Sequence, residues 1–474
     1  MDKRKILLGG QWVETDDVLR VSNPFNGEIV GAVCRAGGKE AERAVELAHG
    51  ARRAVAALPS YRRSEILTNI SNALFKRKEE ISRTITLECG KPVRDARGEV
   101  DRSVLTFRIA SEEASRTGGE VLPLDRNALS EGRWGITRRF PAGPVFGITP
   151  FNFPLNLVSH KVAPAIASGN PIIIKPASKT PATALILGDI VRDSGLPEGG
   201  ISVIPCDTKV AEKIIADERI RVLSFTGSAT VGWALKAGAP RKKVLLELGG
   251  NAGVLIDASA DIGYAAKRCV TGAFSYAGQV CISVQRIYIH EAVYDAFLQK
   301  FIPLVNSLKL GDPMVEETDI GPVIDEENRN RIEMWVDEAQ GKGARVLAGG
   351  VREGAFYRPT VLTDTSPEMK VSCMEVFGPV VTVVKVRDFE EGVQAVNDSL
   401  YGLQAGIFTN DMRNAFAAFE EIEVGGLVIN DVPTYRVDHM PYGGVKQSGF
   451  GREGIKYAIE EMTEPRLMVL NFPK

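Results

Sequence analysis

Histidine is scarce in this chain: His49, His160, His290 and His439 are the only four among 474 residues. No two stand four apart, the spacing that puts two imidazoles on one helical face for zinc, so no metal site is expected. Cysteine is thin as well, with six residues at positions 34, 89, 206, 269, 281 and 373 and no Cys-x-x-Cys. Such scatter through a long chain excludes a disulfide scaffold. No apolar run approaches the roughly 18 residues of a membrane span. The opening MDKRKILLGGQW holds only the short run Ile6-Leu7-Leu8, too little for a signal-peptide core. A cytosolic protein without membrane contact is expected. Charge of one sign is also missing: 58 basic against 60 acidic side chains leave a net charge of −2, which supplies no global attraction for nucleic acid or anionic lipid. There is no Walker loop, internal repeat or low-complexity tract.

What is present is ordinary for a large globular chain, with 44% apolar and 25% charged residues. At about 150 residues per domain, two or three domains are expected. The first 120 residues read as packing helices: KEAERAVELAHGARRAVAAL and YRRSEILTNISNALFKRKEEISRTI carry apolar residues at three- and four-residue intervals. From 143 short β-branched runs alternate with amphipathic segments: PVFGIT, PIIIKP, TPATALILGDIVRD, ISVIP, KVAEKIIAD, VLSFTG, SATVGWALKAG, KVLLEL. This β-α-β-α order predicts a parallel sheet covered on both faces, with ligands beyond the carboxyl ends of its strands. After Gly250 the alternation begins again, with a helix over 261–276 and strands at SVQRIYIH, PTVLTD, VVTVVKV, AGIFT and GGLVIN, so a second α/β unit is expected. The tail RLMVLNFPK alternates as a strand in need of a partner.

A literal Gly-x-Gly-x-x-Gly runs from Gly449 to Gly454, but only 20 residues follow it. The dinucleotide fingerprint needs a βαβ unit with an acidic residue about 20 positions on, so these glycines are read as a turn. A better phosphate candidate is Phe225-Thr226-Gly227-Ser228-Ala229-Thr230-Val231-Gly232, where a strand turns through glycine into a helix whose first amides favour an anion. Taken alone, the stretch reads better as a plain strand-to-helix turn capped by Ser228. Lys175 ends the strand PIIIK where ligands collect, or is simply solvated. Cys281, in a Gly-Gln-containing loop between a helix and a strand, is the candidate nucleophile, needing a nearby base or a lowered pKa. Cys269, inside a helix, suits a structural role. Glu247 closes the apolar strand KVLLEL either as a solvated edge residue or as a base with raised pKa.

The motifs Pro150-Phe151-Asn152-Phe153-Pro154, Lys175-Pro176-Ala177-Ser178, Phe225-Thr226-Gly227-Ser228, Glu247-Leu248-Gly249-Gly250, Gly278-Gln279-Val280-Cys281, Glu375-Val376-Phe377-Gly378-Pro379 and Pro441-Tyr442-Gly443-Gly444-Val445-Lys446-Gln447-Ser448-Gly449 stand in this order. In combination they resemble the aldehyde dehydrogenase superfamily over nearly the full chain, nearest its lactaldehyde and non-phosphorylating glyceraldehyde-3-phosphate dehydrogenase-like branch. The resemblance implies an α/β fold of two doubly wound parallel-sheet domains plus a small β oligomerisation arm. The NAD(P)-binding domain would take 1–122 and 143–249, the catalytic domain 250–447, and the arm 123–142 and 448–474, giving a homodimer or homotetramer.

It implies also that Cys281 attacks an aldehyde, that Asn152 and the Cys281 N–H hold the oxyanion, that hydride passes to NADP or NAD, and that Glu247 activates water to hydrolyse the thioester. Lys175, Gly227, Ser228, Gly232, Glu375 and Phe377 would bind the cofactor. Ser178 stands where strict NAD users of this family often carry glutamate, and Lys179 adds a cation, so NADP is favoured. Arg108, His160, Arg436 and His439 would face the substrate, which suits a small polar or anionic aldehyde. The alternatives are a CoA-acylating semialdehyde dehydrogenase, disfavoured by Glu247, and a non-catalytic structural protein of the same fold. A nucleophile, base and oxyanion donor together argue against the latter.

Overall fold

The computed structural model describes residues 3–472. An eight-stranded sheet is built in the spatial order Gly449–Phe450, Lys243–Glu247, Val222–Thr226, Val145–Ile148, Ile172–Lys175, Ile201–Val203, Ile6–Leu8 and Gln11–Val13. The five central strands from Lys243–Glu247 to Ile201–Val203 run parallel and the outer ones antiparallel. Their apolar runs are continuous because both faces are covered. Ile172 and Ile174 pack into one layer with the helices Ser60–Lys76, Val93–Arg116 and Asn156–Ser168. Ile173, Phe146 and Leu223 pack into the other with the helices Gly38–Ala56 and Thr208–Ala216.

A second, seven-stranded sheet has the order Arg345–Ala348, Thr360–Thr363, Val380–Val386, Arg286–His290, Gly253–Ile256, Gln404–Phe408 and Gly426–Ile429. All its pairs are parallel except the first, Arg345–Ala348 with Thr360–Thr363. A three-stranded antiparallel ribbon joins Thr463–Asn471 to Arg133–Pro141 over nine residue pairs, and Val121–Pro123 to the latter's other edge.

Some expectations fail. The first 34 residues hold short strands instead of helix: Ile6–Leu8 and Gln11–Val13 extend the large sheet, while Lys3–Arg4, Ile29–Cys34 and Val18–Ser22 form a small one. Strands this short lack the length that periodicity needs. The helix expected over 61–85 is broken at Arg77, whose ψ of 17° separates Ser60–Lys76 from Lys78–Cys89. Residues 449–461, assigned to the arm, instead add the edge strand Gly449–Phe450 beside Lys243–Glu247 and the helix Ile455–Glu461, whose Ile455 and Ile459 enter the core of the first domain. The Gly449-to-Gly454 run is thus an edge strand and turn, with Gly451 and Gly454 at φ 77° and 92°.

Candidate active site

Three neighbouring strands of the first sheet deliver their carboxyl ends to one place. Val145–Ile148 leads to Pro150-Phe151-Asn152, Val222–Thr226 to Gly227-Ser228, and Lys243–Glu247 to Leu248-Gly249. With Cys281, Glu375 and Phe377 from the other sheet's side they line a cleft of about 560 Å³. Phe151 and Phe377 meet edge to face across it, ring centres 5.9 Å apart.

The loop presenting Cys281 is strained. After the helix Ile262–Phe274, Tyr276, Ala277 and Gly278 take φ of 49°, 52° and 66° in succession, a conformation costing roughly 1–3 kcal/mol at each non-glycine residue. At 278 only glycine fits, because a Cβ would lie 2.2 Å from the Gly378 carbonyl oxygen. The surroundings fix the strain in place. Tyr276 Oη donates to the Cys89 carbonyl at 2.9 Å. Buried Gln279 donates to the Tyr276 and Pro322 carbonyls at 3.3 Å each and accepts from the Ile324 N–H at 2.9 Å. Cys281 is left partly exposed to the cleft, whereas Cys34, Cys89, Cys206 and Cys269 are buried.

Buried Asn152 donates from Nδ2 to the Gln279 carbonyl at 3.0 Å. That bond fixes the amide and spares its second N–H. Tyr442 Oη lies 3.6 Å from Cys281 Sγ and 3.4 Å from Glu247 Oε1, while Glu247 Oε2 has no partner. Burial, reinforced by the Glu453 charge, raises the Glu247 carboxyl against the opposing pull of Arg436. Burial and then Glu247 push the Cys281 thiol well up, with a hydrogen bond from Tyr442 working the other way. A protonated thiol therefore faces a carboxyl poised to take its proton.

Behind these groups lies a buried charge cluster. Arg436 stacks on the Tyr442 ring at 3.5 Å and donates from Nη2 to Glu453 Oε2 at 3.0 Å. His160 has both ring nitrogens engaged: Nε2 is 2.7 Å from Asp438 Oδ1 and 3.1 Å from Asn156 Nδ2, and Nδ1 is 3.0 Å from Arg436 Nη2. Lys161, fully buried, bonds Thr226 at 2.7 Å and Glu453 at 3.3 Å. Burial alone would raise Glu453 and Asp438, but Lys161, His160 and Arg436 hold the first well below the usual carboxylate range, and His160, Arg102 and Arg436 the second.

Of the residues singled out in the sequence, Cys281, Glu247, Asn152, Gly227, Ser228, Glu375 and Phe377 meet at the cleft. Ser228 sits at the N-cap of Ala229–Gly238 yet makes no side-chain capping bond. Gly232 packs so tightly on the strand end that a Cβ would meet Leu248 at 2.4 Å. Glu375 Oε1 accepts from the Gly250 N–H at 3.0 Å, and burial pushes this carboxyl up to about 7. Lys175 is largely buried at its strand end, its Nζ 3.4 Å from the Pro176 carbonyl, and burial lowers its pKa. Ser178 is exposed, and Lys179 pairs with Asp325 at 3.3 Å.

His160 is sealed inside the cluster against Arg436 and is not among the residues lining the cleft. Arg108 is exposed on its helix; the residue of that helix that joins the cluster is Arg102, bonded to Asp438 at 2.9 Å. His439 is exposed as well. Sequence reading passed over Tyr442, Lys161 and Glu453 as functional residues. Tyr442 lay in a quoted motif, and Glu453 inside the glycine run set aside as a turn.

The Aldehyde dehydrogenase family profile matches residues 12–468. A 3-sulfolactaldehyde dehydrogenase of Priestia aryabhattai is 44% identical over 467 residues, 98% of either chain. Aldehyde dehydrogenase 21 of Physcomitrella patens, solved with the reaction product succinate, superposes with a TM-score of 0.97 at 45% identity, covering 99% of this chain and 98% of that one. A glyceraldehyde-3-phosphate dehydrogenase of Methanocaldococcus jannaschii, solved with NADP, gives 0.93 at 37% identity, covering 97% and 100%. With likeness of this extent added to the thiol, amide and carboxyl gathered at one cleft, the chain belongs to the aldehyde dehydrogenase family and is an oxidoreductase of that class.

Proposed function

We propose that this chain oxidises a short polar aldehyde, preferably one bearing an anionic group, to its carboxylic acid, with NADP preferred over NAD. The observation that carries this reading is the partly exposed Cys281 thiol lining one cleft with the Asn152 amide and the Glu247 carboxyl. A dinucleotide fits the residues present. The first amides of Ala229–Gly238 carry no side-chain cap beside the cleft, and a helix N-terminus of this kind favours phosphate. Glu375, with Oε1 already accepting from Gly250, lines the same cleft and suits ribose hydroxyls. Lys175, Ser178 and Lys179 would hold the adenosine ribose, with no carboxylate at 178 to repel a 2′-phosphate. The Lys179–Asp325 pair is exposed on the lysine side, so freeing it costs at most about 1 kcal/mol.

When bound, the cofactor supplies the hydride acceptor. The chain's own residues do the rest. Cys281 loses its proton toward Glu247 and adds to the aldehyde carbon. Asn152 Nδ2 stabilises the oxyanion, a contribution worth about 3 kcal/mol for one such donor. Once the thioester has formed, Glu247 takes a proton from water, which attacks the acyl carbon and releases the acid. Arg436 keeps a buried Nε without a partner, a donor suited to an anionic substituent. The relatives named for sulfolactaldehyde and solved with succinate support the same substrate class.

The test is a panel of lactaldehyde, 3-sulfolactaldehyde, succinate semialdehyde, glyceraldehyde 3-phosphate and hexanal, each with NADP and NAD and with and without coenzyme A. Best turnover on hexanal, an NAD preference above about tenfold, or a CoA-dependent product overturns the corresponding part. Loss of turnover in Cys281→Ser is expected, and its retention would sink the whole.

The same reading includes a homo-oligomer in the cytosol. In the ribbon, Trp134, Leu467, Met468 and Val469 are all about half exposed. Three of these are consecutive, so both faces of the ribbon are uncovered, which suits burial against a second copy. All six cysteines are free, as a reducing compartment favours. A stable, active monomer in light scattering at micromolar concentration would overturn the oligomer.

A further inference from the structure

We propose that the Tyr442 hydroxyl is the proton bridge between Cys281 and Glu247, a catalytic group in its own right; this rests on Cys281 being the nucleophile. The contacts form a chain: thiol to hydroxyl at 3.6 Å, hydroxyl to carboxyl at 3.4 Å. Both are long for bonds in a resting site, where catalytic contacts tighten only with substrate present. The thiol and the Glu247 carboxyl also interact directly, and the phenol is the group that touches both and offers the proton a second, bridged route.

Its placement is held from two sides. The Tyr442 and Glu453 main chains bond each other reciprocally, N–H to carbonyl at 3.0 and 2.6 Å, and the Glu453 side chain is itself anchored by Lys161 and Arg436. The Arg436 guanidinium carbon sits over the Tyr442 ring, 3.5 Å from its centre, and a cation over the π face stabilises negative charge developing on the phenol oxygen. The charged and titratable groups facing this chain are Cys281, Glu247 and Arg436, with Glu453 and Lys161 behind Glu247 and Glu375 at its other side. The two cations and the carboxylates nearly balance, so a proton can move along the chain without leaving a large uncompensated charge.

The step balances. As Sγ bonds to the aldehyde carbon, the thiol proton passes to Tyr442 Oη while the tyrosine proton passes to Glu247 Oε1. This leaves a thiohemiacetal oxyanion, a neutral tyrosine and a protonated Glu247. Hydride departure makes the thioester, and Glu247 releases its proton to solvent through the cleft. In deacylation Glu247 takes a proton from water, and when the tetrahedral adduct collapses the same proton returns through Tyr442 to the departing Cys281 thiolate. The site regains its starting state.

The experiment follows Cys281 alkylation by iodoacetamide between about pH 6 and 10 in the full chain without cofactor, alongside steady-state turnover. Tyr442→Phe keeps the ring and its cation contact. It should move the alkylation profile to higher pH and lower kcat about 100-fold, while in a Glu247→Gln background it should cost under about threefold more. Because Tyr442 is buried, thermal melting checks that the variant is folded. Incorporating 3-fluorotyrosine at 442, which acidifies the phenol at nearly constant shape, should move the profile to lower pH. An unchanged profile in Tyr442→Phe, full multiplication of its effect with that of Glu247→Gln, or a fluorotyrosine shift that is absent or upward overturns the bridge. Turnover surviving complete alkylation of Cys281 would instead sink the nucleophile assignment itself.

Discussion

Two regions of the first domain bury glutamates, and they treat them in opposite ways. In the helical layer, Glu88 accepts from the Ala182 and Thr183 N–H groups at 2.7 and 3.0 Å and from Thr183 Oγ1 at 2.6 Å, closing the start of Pro181–Arg192. Glu99 accepts from the Leu155 and Asn156 N–H groups at 2.9 and 3.1 Å and pairs with buried Lys91. Each oxygen is spoken for. At the cleft, Glu247 meets only reacting groups, the Tyr442 hydroxyl at 3.4 Å and the Cys281 thiol, and among the described residues its Oε2 is left without a hydrogen-bond partner. Burial is common to all three, so burial alone does not mark a functional carboxyl. Unmet hydrogen-bonding capacity does, because leaving it unmet costs stability that only a reacting partner can return.

The widest separation should come from isosteric and truncating changes at the two places. Glu247→Gln should cut kcat about 1,000-fold, within the usual range for loss of a general base, and leave the melting temperature unchanged or slightly higher. Glu99→Ala should do the reverse. It strands Lys91 without its counter-ion, a defect costing about 3–5 kcal/mol in buried pairs, and frees the helix start that follows the Asn152 loop. Chemical denaturation of both variants beside their turnover checks the pair. A Glu247→Gln protein that melts early while keeping its activity, or a Glu99→Ala protein of unaltered stability, breaks the distinction.

How far the sequence reached follows from the range of the interactions involved. The parallel strands were legible because PIIIK and KVLLEL are buried on both faces and flanked by helix-length crossovers. Cys281, Glu247 and Asn152 were legible as motif residues. The charge cluster was not. Arg102 meets Asp438 across 336 positions, and Lys161 meets Glu453 across 292; no local pattern encodes either pairing. Arg108 drew attention by residue type, and only the rotation of its helix shows that Arg102 instead points inward. Glu453 was hidden because the glycine run around it looked like a turn, as it is, while its carboxylate works elsewhere.

The smallest expected effect separates the two regions by their response to pH. Burial pushes the Glu88 carboxyl up to about 7, against the opposing bonds from Thr183 and Ala182. An unfolded glutamate titrates near 4.3, so between these values the folded chain keeps a proton that the unfolded chain has lost. Folding then takes up a proton, and the Glu88 contribution to stability is full below the unfolded value, declines as pH rises through the folded one, and is flat above. Glu88→Gln cannot titrate. Its stability deficit relative to the native chain should therefore shrink from pH 5 to pH 8, by denaturation at constant ionic strength. A deficit that stays constant across this range would mean that the three donors hold Glu88 ionised throughout, and that it is a charged helix cap rather than a protonated one.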